Sequence, residues 1–290
     1  MQVRADRPEI RLRRSANDRR LRFGFARTAR APYSCASTLR VTILGSGTAV
    51  PVAGRFPSGV LVQGGGQTVL VDLGPGVLRR LAETGVGLEA VDAVLLTHFH
   101  TDHCADLAAL LFGLRNPRYA GRPPLRLIGA AGLRELLGHL TAAWPWLQPR
   151  DYTLSIEEIA PGPLRLGTLR VAAIPIRHTA QSLGYRITAA GGAVAAFSGD
   201  ADECDELVEL ARDADLFVCD CAFPNEHRTE GHLTPALAGA AAARAEVKTL
   251  CLTHFYPECD GYDLTAQARA CFGGEIVEAA DLLTFDLRRE

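Results

Sequence analysis

The sequence predicts an α/β fold in which two β-sheets carry helices on their outer faces. Three observations point there. Short apolar runs of strand length are grouped into meanders, helical stretches separate them, and Gly or Pro marks the handovers. At 290 residues, 48% of them apolar, the chain is long enough for one large domain with a buried core. No run approaches the roughly 18 uninterrupted apolar residues of a membrane span.

In chain order, residues 1–38 have no apolar periodicity and read as an Arg-rich, disordered extension; residues 39–290 read as the folded domain. Residues 1–40 hold eleven Arg against three acids, a formal +8, which leaves −10 for the other 250 residues. An acidic body is poorly suited to gripping a long polyanion. LRVTILGSGTAVP (39–51) reads as a strand entering a Gly-rich turn. Residues 58–63 and 67–74 form a hairpin around Gly64-Gly65-Gly66, and Pro75 opens a helix to about Glu83. Residues 91–98 are a buried strand, 102–116 a helix, 125–130 a strand and 131–143 a helix. The second half follows with strands at 169–178, 183–188 and 193–200, a helix at 203–212, a strand at 215–223, a helix at 234–245 and a strand at 248–255. A last helix near 264–271 precedes two more strands. The eight Cys show no CxxC spacing and there is no signal-peptide apolar region, which fits a reducing cytoplasm; Cys219 and Cys221 read as core residues on one strand face.

The chemistry concentrates in THFHTDH (97–103). Three His and an Asp within six residues, between a buried strand and a helix, suit a divalent metal such as zinc. His98 and His100 alternate in an extended segment and point the same way, while Asp102 and His103 open the helix, displaced toward a second metal position. Gly45, Gly47 and Pro51 do not match a nucleotide loop, since neither GxGxxG nor GK[ST] is present.

This HxHxDH group resembles the signature of the metallo-β-lactamase superfamily, and the resemblance runs over 39–290 with further landmarks in order. It implies a four-layer αβ/βα sandwich with the site at the sheet edges. By the same resemblance a first metal takes His98, His100 and His178, a second takes Asp102, His103 and His254, and Asp200 bridges them. Asp72 in LVDLG matches a supporting Asp that does not bind metal. The implied cofactors are two divalent ions, zinc first and manganese second. Five of the eight His fall at these ligand positions.

VCDCAFPNEH (218–227) and GHLTP (231–235) are similar to the phosphodiesterase and ribonuclease-Z branch, and LGSGTAVP looks like the opening turn of its ribonuclease-Z-like members. The resemblance implies that Asp220 orients His232, which protonates the leaving oxygen after attack by metal-activated hydroxide, with Asp102 assisting the nucleophile. Members of the branch often carry Glu where this chain has Asp220. Enzymes that process transfer-RNA 3′ ends carry a long arm between the third His ligand and the bridging Asp. Here His178 and Asp200 are 22 positions apart, room for one strand pair. The sequence therefore favours a small or cyclic phosphodiester as partner, with RNA cleavage of the ribonuclease Z kind and carboxyl-ester or lactone hydrolysis as alternatives. It implies no membrane partner and leaves a homodimer open. Phe112, Tyr119, Trp144, Trp146 and Tyr152, within 112–165, are candidates for covering the site or for packing.

Overall fold

The computed structural model describes residues 38–289; the extension proposed for 1–38 lies outside the described residues except for Thr38. Among the described residues, fourteen strands form two seven-stranded sheets. The first holds β1 (Thr38–Gly45), β2 (Gly59–Gly64), β3 (Gln67–Val71), β4 (Ala93–Leu95), β5 (Leu125–Gly129) and β6 (Leu154–Glu158) in sequential order. The second holds β7 (Gly162–Leu166), β8 (Leu169–Pro175), β9 (Leu183–Thr188), β10 (Val194–Phe197), β11 (Leu216–Asp220), β12 (Thr249–Thr253) and β13 (Glu275–Glu278), also sequential. The last strand, β14 (Thr284–Arg288), returns to pair antiparallel with β1.

Each sheet changes character part-way. β1–β2–β3 are antiparallel and β3 through β6 parallel; β7 through β10 are antiparallel and β10 through β13 parallel. Helices connect the parallel strands, as such crossovers require: α1 (Val77–Glu83), α2 (Thr101–Cys104), α3 (Asp106–Gly113) and α4 (Leu133–Ala143) on the first sheet, then α5 (Asp205–Ala211), α6 (Pro235–Arg244) and α7 (Leu264–Arg269) on the second. Thr234 caps α6 through its hydroxyl and Pro235 occupies the first turn, the helix start foreseen there.

Strand alternation builds the layers. Val69 and Val71 of β3 face the space between the sheets, with Val41, Ile43, Tyr185 and Phe197. Leu70 and Val94 face outward onto Leu81, Leu107 and Leu110 of the helices. Burial on both faces explains why the parallel strands read as continuous apolar runs. The layers are tied near the site: the Tyr185 hydroxyl donates to the Leu96 carbonyl at 2.9 Å, and Leu183 N donates to Thr97 O at 2.8 Å.

Two elements differ from expectation. β6 and β7 were not foreseen because each runs along one sheet's edge and mixes polar with half-buried residues, so no apolar run marks it. The helix expected over 102–116 is broken at Ala105. The His103 carbonyl accepts from Leu73 N at 2.7 Å, and Asp106 N donates to Leu73 O at 3.0 Å, so the loop after β3 is threaded against the break. Gly74 permits this approach, since a Cβ there would sit 2.1 Å from the Asp102 carbonyl oxygen. Tyr119 and Tyr152 pack on the outer core of the first sheet, while Phe112, Trp144 and Trp146 are exposed. Cys219 and Cys221 are buried, and burial holds both thiols well above their ordinary range, so they are inert packing groups.

Candidate metal centre

The chemistry-bearing residues gather where strands end. Asp72 follows β3, and His98 and His100 lie in the stretch after β4. Asp102 and His103 sit on α2. His178 follows β8, Asp200 follows β10, Asp220 ends β11 and His254 follows β12. The carboxyl ends of parallel strands are where open α/β sheets present such groups. Every metal-ligand position expected from the sequence arrives at this one place.

His98, His100, His178 and Asp200 each offer a donor atom, all within 4.8 Å of one another; so do Asp102, His103 and His254. Asp200 lies between the two groups. Its Oδ2 is 3.7 Å from His98 Nε2 and 3.6 Å from His178 Nε2, whereas its Oδ1 is 2.9 Å from His103 Nε2 and 3.1 Å from His254 Nε2. The His254 Nε2 also approaches Asp102 Oδ2 at 3.5 Å. His100 turns its Nδ1, 3.3 Å from His178 Nε2, toward the cluster; residue spacing does not reveal which ring nitrogen is used.

A partner on the opposite ring nitrogen fixes most of these imidazoles. His103 Nδ1 lies 2.7 Å from Asp72 Oδ2, and His178 Nδ1 donates to the Gly231 carbonyl at 2.8 Å. His98 Nδ1 meets the Thr97 hydroxyl at 3.1 Å, and that hydroxyl donates to Asp72. Asp72 thus supports the loop without joining the donor cluster. On the other side, Ala49 N donates to Asp102 Oδ2 at 3.1 Å. Asp72 and His254 both hold left-handed backbone, φ 62° and 65°. That conformation costs a β-carbon residue roughly 1–2 kcal/mol and is retained where the surroundings demand it.

The buried His98 Nε2 has no hydrogen-bond partner, and Asp200 Oδ1, although close to His103 and His254, has none aligned for a hydrogen bond. Orphaned donors of this kind, aimed into a ring of imidazole and carboxylate, fit a divalent metal. Among the side chains alone, protons compete for the same atoms. Burial disfavours a proton on His254, yet Asp200, Asp102 and Asp220 outweigh it and raise the group to about 10. His103 is likewise raised against burial by Asp200 and Asp72. Burial and the neighbouring His103 charge push His98 down to about 2.

Asp220 and His232 adjoin this cluster and form a further group with Asp200 and His254, their donor atoms also within 4.8 Å of one another. His232 Nδ1 is 3.1 Å from Asp220 Oδ2, which also accepts from Leu233 N at 3.0 Å and Ala201 N at 3.3 Å. Burial lowers the tendency of His232 to hold a proton, but the Asp220 hydrogen bond and charge more than offset it and raise its pKa. The sequence reading assigned Asp220 to His232 alone; its Oδ1 in fact also lies 3.4 Å from His254 Nδ1, close but not aligned for a hydrogen bond. Phe223 and Tyr256 stack at 4.8 Å, with both rings 6.0 Å from His232.

Three supporting groups escaped the sequence reading. Asp281 accepts from Ser46 N, the Ser46 hydroxyl and Phe56 N, pinning the loop after β1. Asp202, buried, accepts from Gly231 N at 3.1 Å. Tyr256 was passed over. Their partners are tens to hundreds of positions away, or contact by stacking, and no local motif marks them.

Residues 67–255 match the β-lactamase superfamily domain, and the chain belongs to that family. It is 34% identical over 261 residues to the uncharacterized protein Rv1339 of Mycobacterium tuberculosis, covering 87% of this chain and 93% of that one. It is 34% identical over 275 residues to a ribonuclease Z of Mycobacterium marinum, covering 84% and 97%. Among solved structures, the metallo-β-lactamase fold protein YhfI of Bacillus subtilis superposes with a TM-score of 0.75 at 27% identity, covering 86% of this chain and 99% of that one. The two packed sheets with outer helices are the αβ/βα sandwich of this superfamily, and the chain is one of its hydrolases.

Proposed function

We propose that the protein is a dinuclear metal-dependent phosphodiesterase acting on a small or cyclic phosphodiester. One observation carries the reading: the two oxygens of Asp200 face two different His sets, and a carboxylate-paired imidazole, His232, stands beside them. His98, His100 and His178 would hold one ion, Asp102, His103 and His254 the other, and Asp200 would bridge them. Zinc is the first candidate for this donor set and manganese the second. Bound there, two divalent ions supply an activated water at neutral pH and neutralise charge building on the phosphoryl oxygens.

The chain's own residues supply the rest. With Nδ1 of His232 engaged by Asp220, Nε2 is the nitrogen left to carry a proton to the departing oxygen. Asp220 holds the ring in that orientation and stabilises its charged form. Asp102, anchored by Ala49 N, is placed to receive a proton from the nucleophile. Between His178 and Asp200 the chain makes only the β9–β10 hairpin. With an acidic body, that favours a small substrate over a folded RNA.

The ribonuclease Z relative supports a second reading, RNA 3′-end cleavage with the Arg-rich segment as the gripping element. Hydrolysis of a lactone or other carboxyl ester has less support, because it leaves the Asp220–His232 pair without a task. Cyclic and linear phosphodiesters, a precursor transfer RNA and a lactone, assayed side by side with zinc- or manganese-loaded protein, separate the three. Turnover of cyclic phosphodiesters well above the others is expected. Selective cleavage of the RNA or the lactone would overturn the proposal.

A further inference from the structure

We propose that Asp202 is a positioning residue that sets both the first donor group and His232 through a single backbone unit, Gly231. Asp202 is buried, two residues beyond Asp200 in the loop leaving β10, and belongs to none of the donor groups. Its Oδ2 accepts from Gly231 N at 3.1 Å, and the carbonyl of that same glycine accepts from His178 Nδ1 at 2.8 Å. The next residue is His232. One residue, Gly231, with a peptide group on either side of its Cα, therefore links a buried carboxylate, a proposed metal ligand and the proposed proton donor.

Gly231 has φ 89°, a conformation glycine adopts freely and also leaves freely. Something must hold it, and Asp202 is built for that. Its own N donates to Arg177 O at 2.7 Å, its Oδ1 accepts from Glu203 N at 2.8 Å, and Arg228 Nη2 donates to Oδ1 at 3.2 Å. The arginine arrives from the loop that carries Gly231. Without the carboxylate, the Gly231 carbonyl drifts, His178 loses the acceptor that fixes its tautomer, and the ring no longer presents Nε2 to His98 and His100. The other donor group has separate supports, Asp72 on His103 and Asp220 beside His254. The effect should therefore fall on one metal of two. The expectation of two metals and of a role for His232 rests on the function proposed above.

The test is a zinc titration of the full chain against a chromogenic chelator, with melting temperature recorded in parallel. Asp202→Ala should weaken one zinc equivalent by about 10–100-fold, the usual cost of losing an outer partner of a ligating His. The other equivalent should stay within about threefold. Asp202→Ser keeps a polar group at the buried position but is too short to reach Gly231; it should behave like Asp202→Ala, and decides the matter if the alanine variant does not fold. Asp202→Asn, whose amide oxygen can accept from Gly231 but whose NH2 would then face the Glu203 and Arg228 donors, should restore part of the affinity. His178→Ala should lose the same equivalent, and adding Asp202→Ala to it should cost little more. Wild-type affinity for both equivalents in the Ser variant would overturn the proposal. So would equal weakening of both with a fall in melting temperature, the mark of a merely structural role. These readouts need no substrate, so a failure to cleave phosphodiesters would overturn the proposed function and leave this result standing.

Discussion

Replacing His232 by Ala should cost most where the leaving group is most basic. The ring is held by Asp220 through Nδ1 at 3.1 Å, which leaves Nε2 as the nitrogen that would deliver a proton in the proposed reaction. An alkoxide leaving group needs that proton, whereas p-nitrophenolate departs without one. A positioned general acid contributes about 10²–10⁴ in rate, which corresponds to about 2.7–5.4 kcal/mol of barrier. His232→Ala should lose that much on an alkyl phosphodiester and less than about tenfold on a p-nitrophenyl ester, with metal content unchanged. Asp220→Ala should behave differently. Asp220 also faces His254 at 3.4 Å and accepts from two backbone N–H groups, so its loss should lower metal content as well as remove the leaving-group selectivity. The assay is kcat/KM for both esters on each variant, paired with metal analysis. Equal losses on the two esters for His232→Ala would refute the proton-donor role, and metal loss in that variant would make His232 a ligand.

Other outcomes follow from single contacts. Gly199 has φ 61°, and a Cβ there would lie 2.7 Å from Thr97 Cβ, so Gly199→Ala should destabilise the fold by about 1–3 kcal/mol in urea denaturation; an unchanged midpoint would contradict the geometry. Asp215 is held below the usual carboxylate range: burial acts against ionisation, but hydrogen bonds from Lys248, Val194 N and Arg289 outweigh it. Its stabilisation should be full above about pH 4, its ordinary range, and vanish as pH falls through the lowered folded value. Stability curves of wild type and Asp215→Asn should therefore converge in acid; parallel curves would count against this. Deletion of residues 1–36 should leave the melting temperature within a few degrees, since the described sheets begin at Thr38.

Much of this was legible in the sequence because the informative signals are local. His98, His100, Asp102 and His103 occupy one short turn, and Thr234-Pro235 announces its helix. The apolar runs of β3, β4, β11 and β12 carry their burial in their composition. His178, Asp200 and His254 could be placed only through family resemblance, as each is a single residue at a strand end. What stayed hidden depends on distant partners. Asp281 meets Ser46 across 235 positions, and Asp202 meets Gly231 across 29. The edge strands β6 and β7 have polar, half-exposed sequences that ladder pairing makes into strands, and the second contact of Asp220, toward His254, emerges only when β11 and β12 lie side by side.

The proposed function requires both donor groups joined by Asp200 to be filled for phosphodiester hydrolysis. Its most direct test is hydrolysis of a cyclic phosphodiester by chelated protein as zinc or manganese is restored stepwise, with bound metal counted at each step. Activity should be absent without metal and should reach its maximum at close to two equivalents per chain. Activity in fully chelated protein, or a maximum at a single equivalent, would contradict the account.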